Sequence, residues 1–255
     1  MMLSIPVRLM VWLLLWTATA GLSLAGVDTL KGTAEIEDGI IYSWADCNAE
    51  WGGEDCRRYN SGAITNLQVG MNDAGKDRRA LMKLPGWDRV VPDSSTLMLY
   101  YKGGADTLER TIFLYPVTTQ FYEGSEFDNN LGNYPDEDSG VTWYHAYLDE
   151  GDGDSVNWSS PGGDYTTAVA CTFSVSDTHY YEISDFNRIL NYWDTSGNDY
   201  GFILINENAF PANSSIKTFG TTEGDTVRDP IVLLYYPSEM TGRRRRIVME
   251  HLRSD

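Results

Sequence analysis

The chain has 255 residues, a formal net charge of −18, 24 glycines and 16 tyrosines. That much negative charge repels a phosphate backbone, so nucleic acid is set aside as a partner. The length suits one large β domain that can bury a real core.

Residues 1–25 read as a secretory signal peptide. Arg8 is the only charge before the apolar run Leu9 to Trp16, and Ala18-Thr19-Ala20 and Ser23-Leu24-Ala25 offer small-residue cleavage sites. The run is too short for a membrane span, which needs about 20 apolar residues. No later segment is long and apolar enough either, so the mature chain is expected to be secreted, extracellular or at the cell surface, with no transmembrane anchor. Without Arg8 the charge becomes −19, from −18 less one positive residue.

Cys47 and Cys56 enclose Gly52 and Gly53, which ease a reversal, so an exported chain is expected to pair them as a disulfide. Cys171, in the apolar run Ala168 to Phe173, is then left as a small buried hydrophobe. The clearest strands are Ile64–Val69, Ala80–Leu84, Ser95–Tyr101, Arg110–Val117, Ala168–Val175, Tyr200–Ile205, Ser215–Phe219 and Ile231–Tyr236. Period-two alternation in Ser95–Tyr101 and Thr111–Tyr115 predicts one buried and one wet face. The stretch Glu123 to Gly140 reads as a long loop. One segment has helical spacing: Phe186, Ile189, Leu190 and Trp193 recur behind Ser184 or Asp185 as N-cap, with Gly197 beyond the end. Many strands and one short helix argue for an all-β sandwich with a helical connection. The domain is read as residues 26–237. Residues 238–255, with Arg243 to Arg246, read as a solvated tail able to dock on an acidic envelope protein.

The order of motifs resembles the DNRLRE domain family, disaggregatase-related domains grouped with carbohydrate-binding modules. The residues that carry the resemblance are Asp38-Gly39-Ile40-Ile41, Asn60-Ser61-Gly62, Arg79 to Leu84, Ser95 to Tyr100, Val117 to Glu123, Val141-Thr142-Trp143 and Trp158 to Tyr165. The helix at 183–193, Asn198 to Leu204, Ile216 to Gly220 and Arg228 to Tyr235 complete it. Leu84-Pro85-Gly86-Trp87 and the Cys47–Cys56 insertion depart from the family pattern, and Phe121 stands where the family often has Trp. The resemblance implies a jelly-roll-like antiparallel β-sandwich that binds polysaccharide or mediates adhesion, with no catalytic residues.

Sugar recognition needs aromatic faces for C–H surfaces and polar groups for hydroxyls; arginine additionally pairs with uronate carboxylates. Trp158, Tyr165, Tyr122 and Tyr144, with Arg78 and Arg79, are the ligand-binding candidates; Trp143 and Trp193 are read as core. Asp149, Asp152 and Asp154, spaced by Glu150, Gly151 and Gly153, are the candidate calcium ligands, a hard cation that takes six to eight oxygens. Paired carboxylates for glycosidase chemistry can be drawn among Glu123, Glu126 and Asp138, but an acidic chain offers such pairs by chance. With no nucleophile elbow and no metalloprotease helix, the chain is not expected to be an enzyme.

Overall fold

The computed structural model describes residues 26–43, 57, 62–72, 74–104, 106–124, 140–149, 154–206, 214–224 and 226–237. The signal-peptide stretch, Cys47, Cys56, Asp152, Glu126, Asp138 and the arginine tail lie outside these residues, as do the side chains of Asp149 and Asp154. The chain forms two compact units. One is Asp28–Leu234, which holds nearly all the described residues; the other contributes Gly26, Val27 and residues 235–237 to them.

Among the described residues thirteen strands and one helix run in chain order: β1 (Gly26–Lys31), β2 (Glu37–Tyr42), β3 (Leu67–Met71), β4 (Asp77–Lys83), β5 (Ser94–Gly103), β6 (Arg110–Pro116), β7 (His145–Asp149), β8 (Asp154–Asn157), β9 (Cys171–Val175), β10 (Tyr180–Ile183), α1 (Asn187–Ser196), β11 (Phe202–Ile205), β12 (Lys217–Phe219) and β13 (Ile231–Tyr236). Eleven strands join in the order β1-β13-β5-β12-β3-β4-β11-β6-β9, with β10 added to β5 and β2 to β4; β7 and β8 form a separate hairpin. The fold is all-β with one short helix, a large antiparallel sheet curled into a sandwich-like core.

One strand turns the corner between the two halves of the curl. β3 pairs with β12 through Leu67, Gln68 and Val69, then with β4 through Gly70 and Met71. Gly70 sits at the change of partner with φ +123°, where a Cβ would lie 2.4 Å from the Ser215 carbonyl oxygen. Only glycine allows both the backbone angle and that approach.

Alternation along the strands assigns the core. In β5, Ser95, Leu97, Leu99 and Tyr101 are buried and Thr96, Met98 and Tyr100 are not. In β9, Cys171, Phe173 and Val175 point inward while Thr172 and Ser174 face water. Central strands β4 and β11 are buried on both faces, through Ala80-Leu81-Met82 and Phe202 to Ile205. A strand covered on both sides reads as a continuous apolar run, and a second layer must therefore lie outside the sandwich.

The helix begins later than its sequence cap predicts. Phe186 is the N-cap, with no side-chain cap hydrogen bond, because Ser184 to Phe186 form a turn before the helix. Phe186 is held there by burial, edge-on against Phe202 at 5.2 Å. Ile189, Leu190 and Trp193 form the buried stripe, and Gly197 at φ 75° closes the helix by donating its N–H to the Trp193 carbonyl at 2.9 Å.

Candidate functional site

The second layer is built on the outer face of β4. Period-two alternation places Arg79, Leu81 and Lys83 on that face and Arg78, Ala80 and Met82 on the sandwich side. Leu81 packs in a buried cluster with Ile41, Ile203, Ile205, Tyr115 and Val117 from the sheet. Phe121, Val141, Ala146 and Trp158 from the connection between β6 and β9 cover it. Arg79 and Lys83 emerge on either side of Leu81, roughly 13 Å apart at four residues of strand rise.

At the Arg79 end two of the expected ligand-binding residues, Arg79 and Tyr165, meet, but they bind each other and their neighbours. The Arg79 guanidinium contacts Asp77 at 3.0 Å, donates to the Gly162 carbonyl at 2.7 Å, and lies 4.9 Å from the Trp143 ring centre and 5.9 Å from that of Tyr165. Tyr165 in turn stacks on Tyr115 at 5.3 Å. Asp164 ties down the same turn by accepting from the Ser159 N–H and hydroxyl and from Thr119 at 2.6–2.9 Å. Burial alone would raise its pKa, but these hydrogen bonds hold it below the usual carboxylate range. Trp158 is 5% exposed and its Nε1 donates to the Thr142 carbonyl at 2.9 Å, so it is a core residue with no face open to a sugar. Tyr144 is half-buried beside Arg57, whose guanidinium carbon lies 4.9 Å from its ring centre. Arg78 faces the other side of the strand, bonded to Gln68 and 5.8 Å from the Tyr42 ring centre.

The Lys83 end is different. Tyr122 is 47% exposed and packs against Tyr147 with ring centres 4.9 Å apart. Lys83 Nζ lies 5.4 Å from the Tyr122 ring centre while pairing with Glu37 at 3.4 Å. Gln120 reaches the Tyr122 hydroxyl at 3.5 Å. The backbone here is fixed, since Tyr122 N–H donates to the Ala146 carbonyl and its own carbonyl accepts from Val141 at 2.7 Å. An aromatic edge, a cation and an amide thus stand together at the surface on rigid backbone.

The next residue turns inward. Glu123 joins Asp38 of β2 and Glu223 of the turn at 221–224, with one oxygen of each lying within 4.8 Å of the others. Glu123 Oε1 accepts the Asp38 N–H at 2.7 Å, Asp38 Oδ2 accepts the Thr222 N–H at 3.0 Å, and Glu223 Oε1 accepts the Thr222 hydroxyl at 2.8 Å. Asp38 Oδ1 and Glu223 Oε2 are buried and have no hydrogen-bond partner. Gly62 clamps the arrangement, since a Cβ there would meet the Glu123 carbonyl oxygen at 2.5 Å.

The electrostatics follow from crowding. Burial, then the Glu223 and Glu37 charges, push the Glu123 pKa up to about 8, against the Asp38 N–H and Lys83. Burial, then the Glu223 and Glu123 charges, raise Asp38 well above the usual range, and burial raises Glu223. These oxygens suit a hard cation or a shared proton.

Sequence reasoning named Asp38 only within a motif and Glu123 only as one acid of many. Glu223, Lys83 and Tyr147 were missed, because no local spacing connects positions so far apart in the chain. Asp38 carried the one available signal, an acid leading into the apolar strand residues Gly39-Ile40-Ile41. Elsewhere, Trp87, Arg89, Trp193, Asp194, Gly197 and Asp199 line a cavity of about 90 Å³. Arg89, at φ 64°, makes a two-pronged ion pair with Asp199 there at 2.7 and 2.8 Å. No protein-family model matches the chain, and no curated protein matches it significantly.

Proposed function

We propose that this chain is a secreted, non-catalytic module that binds polysaccharide through Tyr122 and Tyr147, flanked by Lys83 and Gln120. The observation that carries the reading is the exposure of Tyr122. A tyrosine 47% exposed, paired with a second ring and held on fixed backbone, offers a rigid apolar edge to sugar C–H groups and polar partners to hydroxyls. The export signal read at residues 1–25 and the resemblance to DNRLRE domains support the same reading. A net charge of −18 favours a neutral glycan, since a polyanion would be repelled and Lys83 is already engaged by Glu37. Asp38, at the centre of the acid cluster, is 0% exposed and closed to a substrate, which supports the non-catalytic reading.

The test is affinity electrophoresis of the mature chain through gels containing a panel of neutral and acidic polysaccharides. Retardation by a glycan, reduced roughly tenfold in affinity by Tyr122→Ala with the circular dichroism unchanged, is expected. Retardation by none, or retardation untouched by Tyr122→Ala and Tyr147→Ala, would overturn the reading. It would turn attention to protein assembly through Arg243 to Arg246.

A further inference from the structure

Three carboxylates crowd one partly buried corner, where protons or a cation must offset their charge. Asp38 is fully enclosed, and its Oδ1 and the Glu223 Oε2 find no donor. Leaving a buried acceptor unsatisfied costs about 1–3 kcal/mol, more when it is charged. Lys83 acts on Glu123 electrostatically, but it stands on the outer face and pairs with Glu37 at 3.4 Å. Close backbone packing also holds these acids together. Asp38 comes from β2, Glu123 follows the exposed Tyr122, and Glu223 lies on a turn whose Thr222 N–H fixes the Asp38 carboxylate. Gly62 presses against Glu123, and Gly224 lets the turn approach Thr65, where a Cβ would lie 3.2 Å from the Thr65 carbonyl oxygen.

We infer that Asp38, Glu123 and Glu223 form a calcium-binding site. The donors identified are all oxygen, which selects a hard cation over zinc or copper. Their mutual separations of at most 4.8 Å fall inside the roughly 5 Å between opposite oxygens around calcium, whose bonds run ~2.3–2.6 Å. Magnesium, with bonds of about 2.1 Å, demands a tighter octahedron and gives up its waters reluctantly, so a partly buried site of long carboxylates favours calcium. The Asp38 Oδ1 and Glu223 Oε2 lone pairs supply two bonds that no protein donor takes. The ion would join β2, the 121–124 segment and the 221–224 turn. The site stands without the glycan reading and differs from the Asp149–Asp154 hairpin.

The test is calcium titration of the chelator-treated mature chain by isothermal calorimetry, with bound metal counted by mass spectrometry. One calcium per chain is expected in the wild type and in the hairpin variant Asp149→Asn/Asp152→Asn/Asp154→Asn. Glu223→Gln should bind roughly tenfold or more weakly, as the ligand charge count falls. Glu123→Gln keeps an acceptor for the Asp38 N–H and should show the same loss while folding normally, which guards against a misfolded Glu223→Gln. No binding by the wild type at millimolar calcium, unchanged affinity in Glu123→Gln, or loss confined to the hairpin variant would each overturn the assignment.

Discussion

Metal-free protein should become less stable as pH rises from about 5 to 8.5, and the acid cluster sets the size of the effect. Glu123 titrates near 8 in the folded chain against an ordinary 4.5. Between those values the native state holds a proton that the unfolded chain has released, so stability falls with rising pH. The stabilisation is fully present below 4.5 and lost as pH passes through 8. A shift of that size corresponds to about 5 kcal/mol at ~1.36 kcal/mol per pH unit. Glu123 is only half-buried, so screening brings the expected loss to roughly 2 kcal/mol. Asp38 and Glu223, both raised by burial first, act in the same direction. Asp106 and Asp164 are held low despite burial, by Arg110, the Leu108 N–H and Lys217 for the first and by Ser159 and Thr119 for the second. Their contributions are lost only as pH falls through the acid range, which the window avoids. The assay is urea denaturation followed by tryptophan fluorescence in excess chelator at several pH values. Glu123→Gln should flatten the profile, and calcium should restore stability at high pH by mass action. A profile that is level or rises with pH, or an equal slope in Glu123→Gln, would refute the reasoning.

Trp158→Ala should lower stability by about 3–5 kcal/mol through the cavity it leaves and the unpaired Thr142 carbonyl. Its effect on glycan retardation should vanish once the protein is compared below its lowered midpoint, as thermal unfolding followed by circular dichroism will show. Lys217, 0% exposed, donates to the Asp106 and Leu108 carbonyls at 2.9 and 2.6 Å and faces the Asp106 carboxylate at 3.5 Å. Lys217→Met should cost roughly 2–4 kcal/mol by urea denaturation, because two carbonyls lose their donor; Asp106 keeps Arg110 at 2.7 Å, which limits the damage.

The aromatic and basic candidates show where residue type stops being informative. Arg79, Trp143 and Tyr165 have the chemistry of a sugar site, yet they pack against one another to pin the 159–165 turn on the sheet. Trp158, flanked by the same turn, goes into the core because its indole N–H finds the Thr142 carbonyl. Tyr122 and Tyr144 gave no different signal in sequence, and only the cover over Leu81 separates an exposed ring from a half-buried one.

Every strand singled out from alternation or apolar run is present, from Ile64–Val69 to Ile231–Tyr236, with ends moved by a few residues. Strand pleat and helical pitch are local geometry, so a period of two or 3.6 suffices to reveal them. β1, β2, β7, β8 and β10 were not among the strands singled out, because their apolar runs are short or broken by polar residues and their strand state depends on a partner edge. The helix cap moved for a related reason: burying Phe186 on Phe202 outweighed a side-chain cap at Ser184 or Asp185. Local pattern, composition and the buried thiol of Cys171 were thus written in the sequence itself. The acid cluster was decided by tertiary structure alone, since Asp38, Glu123 and Glu223 meet only after three separate segments pack, and burial with mutual repulsion is what raises their pKa values.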